Sequence, residues 1–383
     1  MPPTDEQLAI IAQISVKLAA LGHELKWREP ISVGPLVTTF RFEPKGVARV
    51  RQIEGLSSDI ALALSVEDVL IQRIPGEAVI GITVPNKTRS VPLWRNIVGS
   101  VHSVNTSDAV GVDAVGVAKL PLLMGVDVMG HPFIDDLTTL PHLLIAGSTG
   151  GGKSVFLRSI LATLMFTRSP DEVQMILSDT KQVEFGMFTG DPHLMFDPST
   201  SVYQTLERME YVIDLVDQRL RECATAHVQN VHEYNQRFML SDIKRRLPYI
   251  VLVIDELADM VTSEKKGESK LAEAKLSKIV QKSRAAGVYV IAATQRSSVD
   301  VVAGNIKANF PARLSFRLPA EHDSRTVLGQ GGAEHLLTRG DMLYNSPNRQ
   351  ALLRLHSALA STDDLRACVE MSKHRYYQPT PKA

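Results

Sequence analysis

The sequence predicts an α/β protein: a mostly parallel sheet with flanking helices around a phosphate loop, preceded by a small α+β domain. Two observations carry this. Short continuous apolar runs at Leu143–Ala146, Val173–Leu177, Ile250–Ile254 and Val288–Ala293 alternate with helical stretches at Val155–Phe166, Val202–Cys223 and Leu271–Ala286. Runs that are apolar on both faces suit buried parallel strands, and their alternation with helices is the βαβ pattern of a doubly wound sheet. The second observation is Gly147-Ser148-Thr149-Gly150-Gly151-Gly152-Lys153-Ser154. It fits G-x-x-x-x-G-K-[ST] and lies between the first apolar run and the first of those helices, as a phosphate loop requires.

At 383 residues, two domains are the natural expectation. A hydrophobic fraction of 44% and a charged fraction of 22% are those of an ordinary globular protein. The formal net charge is zero, so any nucleic-acid contact must come from a local patch. The two cysteines, Cys223 and Cys368, fit no metal spacing and read as buried thiols in a reducing compartment. No stretch approaches the ~20 apolar residues of a membrane span. Met1 to Glu6 has no signal-peptide character. A cytoplasmic chain is therefore expected, free-standing or part of a longer membrane-anchored parent.

From the N-terminus, Thr4 to Leu21 reads as a helix. Thr4 and Gln7 fit a capping box, Leu8, Ile11, Ile14, Leu18 and Leu21 mark one face, and Gly22 stops it. β-like runs at Leu36–Phe42 and Ala78–Val84 flank a helix expected over Ile53–Leu64. Together these give the small domain, residues 1–115. Its Arg41, Lys45, Arg49, Arg51, Lys87 and Arg89 fit a solvated face, with a nucleic-acid surface as the alternative. The stretch 103–119 is polar or small and resembles a connection. The larger domain is assigned to residues 116–356, and residues 357–383 are expected to form a polar, frayed tail.

The chemistry-bearing residues fall at the carboxyl ends of the expected strands, where ligands of such sheets bind. Glycines let the loop N–H groups turn inward around phosphate, Lys153 reaches the β/γ-phosphates and Ser154 ligates Mg²⁺. Asp255 and Glu256 close the strand Val251–Ile254. Successive strand residues point opposite ways, so Asp255 is assigned to the metal and Glu256 to general base. Gln295, after Val288–Ala293, is either a γ-phosphate contact or a turn residue. Asp179 and Lys181 follow another strand, as supporting polar groups or turn residues. Arg284 is either an arginine delivered to a neighbouring subunit's site or a basic residue complementing a helix C-terminus. Between Gln281 and Leu355 ten Lys/Arg stand against five acids, which suggests a polyanionic partner beside the nucleotide site. Aromatics are only 5%, so tracking of a duplex backbone fits better than base stacking.

These residues also carry a family likeness. Pro141–Gly147 leading into the loop, Ile254–Asp259, Gln281–Gly287, Ala293–Asp300, Ile306–Asn309, Asp323–Thr326 and Gly340–Tyr344 occur in order, with Ile74–Gly76 and Val84–Lys87 in the small domain. Over roughly residues 30–356 the chain resembles the motor region of the FtsK/SpoIIIE DNA translocases. The resemblance implies a RecA-like P-loop ATPase core, ATP and Mg²⁺, and a hexameric ring around double-stranded DNA. It implies that Arg284 acts across a subunit boundary and that Arg296, Lys307 and Arg325 contact DNA phosphates. Three features depart from the family's pattern. Asp179-Thr180-Lys181 replaces Asp-Pro-Lys, and Glu321 stands where a basic residue is common. The third is that no counterpart of the winged-helix module or membrane segment is visible, as in a trimmed motor or a compact relative. The Gly150-Gly151-Gly152 run replaces a commoner Gly-Ser-Gly and is expected to be tolerated. The function expected is ATP-driven translocation of duplex DNA. The alternatives are a conjugative or viral DNA pump, a protein-secretion ATPase of the same motor fold, and a module that uses ATP only structurally.

Overall fold

The structure, a computed structural model, describes residues 3–45, 50–74, 76–102, 118–238, 245–263, 267–302, 304–349 and 351–376. The connection expected at 103–119 lies almost wholly outside them, as do Arg49 and the end of the tail.

The N-terminal helix α1, Asp5–Ala20, starts as the sequence predicts. The Thr4 hydroxyl accepts from the Gln7 N–H, the Gln7 side chain accepts from the Thr4 N–H, and Gly22 follows the helix with φ +82°. Ile11, Ile14 and Leu18 are buried, but Leu8 and Leu21, expected on the same face, are exposed. The helix packs on an antiparallel sheet of β1 (Leu25–Val33), β2 (Val37–Pro44), β3 (Leu70–Arg73) and β4 (Ile80–Pro85), in the order β1-β2-β4-β3. The single helix expected over 53–64 is two, α2 (Val50–Glu54) and α3 (Ser57–Leu64). Gly55, a poor helix former, falls in the break. Most of the small domain's cations are paired: Arg41 with Glu77, Lys45 with Glu24, Lys87 with Glu6 and Arg89 with Glu67. Such pairing fits a solvated face.

The second sheet has nine strands. After a short helix α4 (Trp94–Ile97) come β5 (Pro121–Asp127), β6 (Pro132–Asp136) and β7 (His142–Ala146). Helix α5 (Lys153–Thr167), β8 (Val173–Ser178), α6 (Val202–Thr225), α7 (Val231–Arg237) and β9 (Tyr249–Ile254) follow. Next are α8 (Leu257–Val261), α9 (Glu268–Lys282), β10 (Val288–Thr294), α10 (Gly304–Asn309) and β11 (Ala312–Phe316). The last elements are α11 (Glu321–Leu328), β12 (Asp341–Asn345), β13 (Leu353–His356) and α12 (Thr362–Tyr376). The strand order is β6-β5-β13-β12-β11-β7-β10-β9-β8. Strands β11, β7, β10, β9 and β8 run parallel; β12, β13, β5 and β6 extend the sheet by antiparallel pairing.

The continuous apolar runs are explained by helices on both faces. In β7, Leu143 and Ile145 join the core under α5 while Leu144 joins the core under α6 and α9. In β10, Tyr289, Ile291 and Ala293 face the first core and Val288, Val290 and Ala292 the second. Trp94, Val98 and Val101 also pack into the first core, and Trp94 Nε1–H donates to Thr163 Oγ1 at 2.9 Å.

The tail departs from expectation. Residues 362–376 form α12, and its Leu365, Cys368 and Val369 pack in the same core as α5. The segment is polar on average because only one stripe is apolar. Both thiols are buried, and burial pushes Cys368 up to about 12. Among the described residues no helix is long and apolar enough to cross a membrane. Replacing Leu365 with Ala should cost about 2–4 kcal/mol in a urea melt; a change below about 0.5 kcal/mol, typical of exposed sites, would mean that α12 does not dock in solution.

Candidate active site

Strand register assembles the site. Ile145 and Ala146 of β7 pair with Ala293 and Thr294 of β10, and Ala292 of β10 pairs with Ile254 of β9. The phosphate loop, Gln295 and the Asp255-Glu256 pair therefore leave the sheet side by side. The loop is fastened below by Gly147 N–H to Thr294 O at 3.2 Å and by Ser148, whose N–H and hydroxyl both donate to Arg317 O. Gly340 N–H closes it from the other side, donating to Gly151 O at 2.8 Å. Gly150 and Gly152 take φ of +80° and +121°, and a Cβ at Gly152 would lie 2.9 Å from Gly340 N. Glycine at 151 also suits the crowding, since a Cβ there would sit 3.0 Å from Ser148 O. Helix α5 starts at Lys153, so the free N–H groups of its first turn lie at the loop and favour an anion there.

Lys153 is buried, and its ammonium donates to Asp255 O at 2.6 Å and to Asp255 Oδ1 at 2.8 Å. Burial raises the Asp255 carboxyl above its ordinary range, with Lys153 opposing. Glu256, also buried, is surrounded by donors. Thr294 Oγ1 donates to Oε1 at 2.8 Å, the Gln295 N–H at 3.1 Å, and Lys181 Nζ lies 3.0 Å from Oε2. Burial pushes this carboxyl up, but the Thr294 bond, the Lys153 and Lys181 charges and the Gln295 amide together hold it below the usual range. It is therefore ionised at neutral pH. Gln295 also meets the loop directly, its Oε1 accepting from Thr149 Oγ1 at 3.2 Å.

The two undecided residues separate. Asp179 accepts from the N–H groups of Val183, Glu184 and Phe185 and so shapes the turn after β8, whereas Lys181 reaches Glu256. For Mg²⁺, the Asp255 carboxylate and the Ser154 hydroxyl offer hard oxygen donors beside a loop built for phosphate. That donor chemistry fits an ion that binds through one or two protein oxygens plus phosphate. A cleft of about 510 Å³ opens over the loop, with Arg339, Ser357 and Leu359 on its far wall. Sequence reasoning does not reach these three or Thr294. The Gly340–Tyr344 block points to the neighbourhood but not to Arg339, a non-glycine residue with φ +63°.

Arg284 does not join this site. It is exposed, two residues past α9, at the start of β10 and not at its end. The seven residues of β10 put about 20 Å between that position and the loop. The three cations expected on DNA fall just after β10, on α10 and on α11. Arg296 is exposed, and the next residue, Ser297, donates to Asp323 Oδ1 of α11 at 2.8 Å. Lys307 Nζ of α10 donates to Arg325 O of α11 at 3.3 Å. Arg325 is exposed and ion-paired with Glu321 at 2.6 Å. The basic excess of this segment is partly structural. Arg354 is buried against Asp341 at 2.6 Å, and Arg313 donates to the carbonyls of Phe310 and Lys307.

The FtsK alpha domain model matches residues 6–86, and the FtsK/SpoIIIE family model matches residues 114–299. The DNA translocase FtsK of Helicobacter pylori (strain J99) is 38% identical over 341 residues, 89% of this chain and 39% of that protein. The DNA translocase FtsK of Pseudomonas aeruginosa is 34% identical over 384 residues, 94% of this chain and 46% of that protein. The chain thus spans less than half the length of these relatives. Among solved structures, the pCW3 conjugation coupling protein TcpA, a monomer form with ATPγS, is similar with a TM-score of 0.65 and 21% identity, over 96% of this chain and all of that one. The cytoplasmic domain of the Type VII secretion ATPase EccC of Thermomonospora curvata has a TM-score of 0.58 and 22% identity, over 66% of this chain and 31% of that one. The P-loop site and both family models agree: the chain belongs to the FtsK/SpoIIIE family and carries its ATPase motor domain.

Proposed function

We propose that this chain hydrolyses ATP to drive itself along double-stranded DNA as a homohexameric ring in the cytoplasm. The observation that supports the reading is the adjacency of Gln295 and Arg296: one side chain touches the phosphate loop, the next faces solvent, and Ser297 after it is bonded to α11, the helix that carries Arg325. Nucleotide phosphates occupy the loop, and Lys153 exchanges Asp255 for them. Ser154 and Asp255 would hold Mg²⁺, which would supply charge neutralisation to the phosphates. Water attacks the γ-phosphorus as the bond to the ADP oxygen breaks. The water's proton passes to Glu256, and Lys153 offsets charge on the departing ADP. Gln295 senses the γ-phosphate, and Arg284 completes the neighbouring protomer's site, since it lies too far from its own. Arg296, Lys307 and Arg325 grip phosphates without reading bases. The domain division at residue 115 belongs to the same reading, with residues 1–115 as the small domain of each protomer.

A protein-secretion motor is the second reading, favoured by the likeness to EccC. The basic set beside Gln295 argues for DNA.

Glu256→Gln should lower kcat by about 10²–10⁴-fold with ATP binding kept; full turnover in that variant overturns the base assignment. Linear duplex DNA should stimulate hydrolysis, and rising salt should weaken the stimulation. In Arg296→Ala, the log–log slope of DNA affinity against salt should become shallower by about one, as expected for one phosphate no longer neutralised. Indifference to DNA at low salt favours the secretion reading. Arg284→Ala should lower kcat about 10³-fold. Mixing it with Lys153→Ala should restore part of the activity, because each variant supplies the half-site the other lacks. No recovery in mixed rings would sink the trans assignment.

A further inference from the structure

Both oxygens of the Glu256 carboxylate are engaged. Oε1 accepts from Thr294 Oγ1 and the Gln295 N–H, and Oε2 from Lys181 Nζ at 3.0 Å, with the same amide at 3.3 Å. A carboxylate held this way has no oxygen turned freely toward water, since each already accepts from a protein donor.

The donors differ in their freedom. Thr294 closes β10, a strand buried along its length, and Gln295 follows it directly. Lys181 stands on the turn after β8, where the next residue, Gln182, takes φ +58°, and its side chain is 42% exposed. Of the three, Lys181 can leave without disturbing a strand. A second acceptor is at hand in Asp259 of α8. Thr180 Oγ1 donates to Asp259 Oδ2 at 2.7 Å, and the Asp259 charge also bears on Lys181.

We propose that Lys181 is a positioning residue that restrains Glu256 in the resting protein, and that its release toward Asp259 frees the carboxylate for water. This rests on Glu256 as the base. The charged groups around Glu256 are Lys153 from α5, Lys181 from the β8 turn and its neighbour Asp255, with Asp259 of α8 facing Lys181. Lys153 is bonded to Asp255 and Lys181 to Glu256, so Lys181 is the cation whose departure would free a Glu256 oxygen. Its own ammonium is raised above the ordinary range despite burial, through Glu256 first and the Asp259 and Asp255 charges after it.

The test compares Lys181→Met, Lys181→Arg and Glu256→Gln, each checked for fold by thermal melt and for ATP binding. Without DNA, K181M should turn over ATP about three- to tenfold faster than the parent chain, as a carboxylate no longer bonded to an ammonium can accept from water. DNA should stimulate K181M less than the parent, and K181R should restore the low resting rate. An unchanged resting rate overturns the restraint. So does a loss of turnover in K181M, which would place Lys181 in the chemistry itself. Turnover surviving in E256Q removes the base assignment. A dead E256Q beside an unaltered K181M removes the restraint alone.

Discussion

Ala146 lies opposite Thr294, and Ala292 lies opposite Ile254, so three parallel strands end within a residue or two of one another. Everything at the site follows from that alignment. A shift of one residue in any of the three would turn its apolar side chains to the wrong core. The alternation of β7, β9 and β10 between the two helical layers therefore fixes the alignment. The hydrophobic effect sets the register, and the register sets where Lys153, Asp255, Glu256 and Gln295 meet. The consequence is a set of charges in a buried place. Lys153 and Asp255 are tolerated there because each compensates the other; removing one partner of such a pair typically costs about 3–5 kcal/mol.

The same alignment ties phosphate chemistry to the proposed DNA face by the shortest route, one peptide bond. Gln295 touches Thr149 of the loop through its side chain and Glu256 through its N–H. Arg296 follows immediately, and Ser297 is bonded to Asp323 of α11. Lys307 of α10 is bonded to the backbone of Arg325. Gln295 is thus joined to α11 through Ser297, and α11 to α10 through Lys307, by a short chain of contacts. In this family setting Glu321 acquires a meaning that spacing alone does not give it. It neutralises Arg325 in place of adding a cation, and an exposed pair of this kind is weak enough to exchange for a phosphate.

The parts of the fold that are legible in the sequence share one property: their pattern is local. The capping box of Thr4 and Gln7, the loop at 147–154, and the runs that form β7, β8, β9 and β10 each declare themselves within a few residues. The antiparallel strands β5, β6, β12 and β13 are not legible in the same way, because short strands joined through distant pairings carry no comparable periodicity. Helix α12 escapes notice because its single apolar stripe, Leu365, Cys368 and Val369, is diluted by the charged and polar residues on its other faces. Gly55 splits a helix that periodicity joins. At the site, the motif residues are readable. Thr294, Arg339 and the partner of Lys181 are not, since they depend on strand register, turn shape and a left-handed backbone conformation.

Glu256 illustrates why a motif does not by itself describe a working site. Its position after β9 singles it out, yet its surroundings hold its carboxyl below the usual range. Burial alone would have raised its proton affinity. The donors from β10 and the β8 turn reverse that effect. The strand-borne donors set the orientation of the carboxylate and can stay in place during turnover. The turn-borne ammonium sets its charge balance and is the element that a change in the surrounding protein can most easily move.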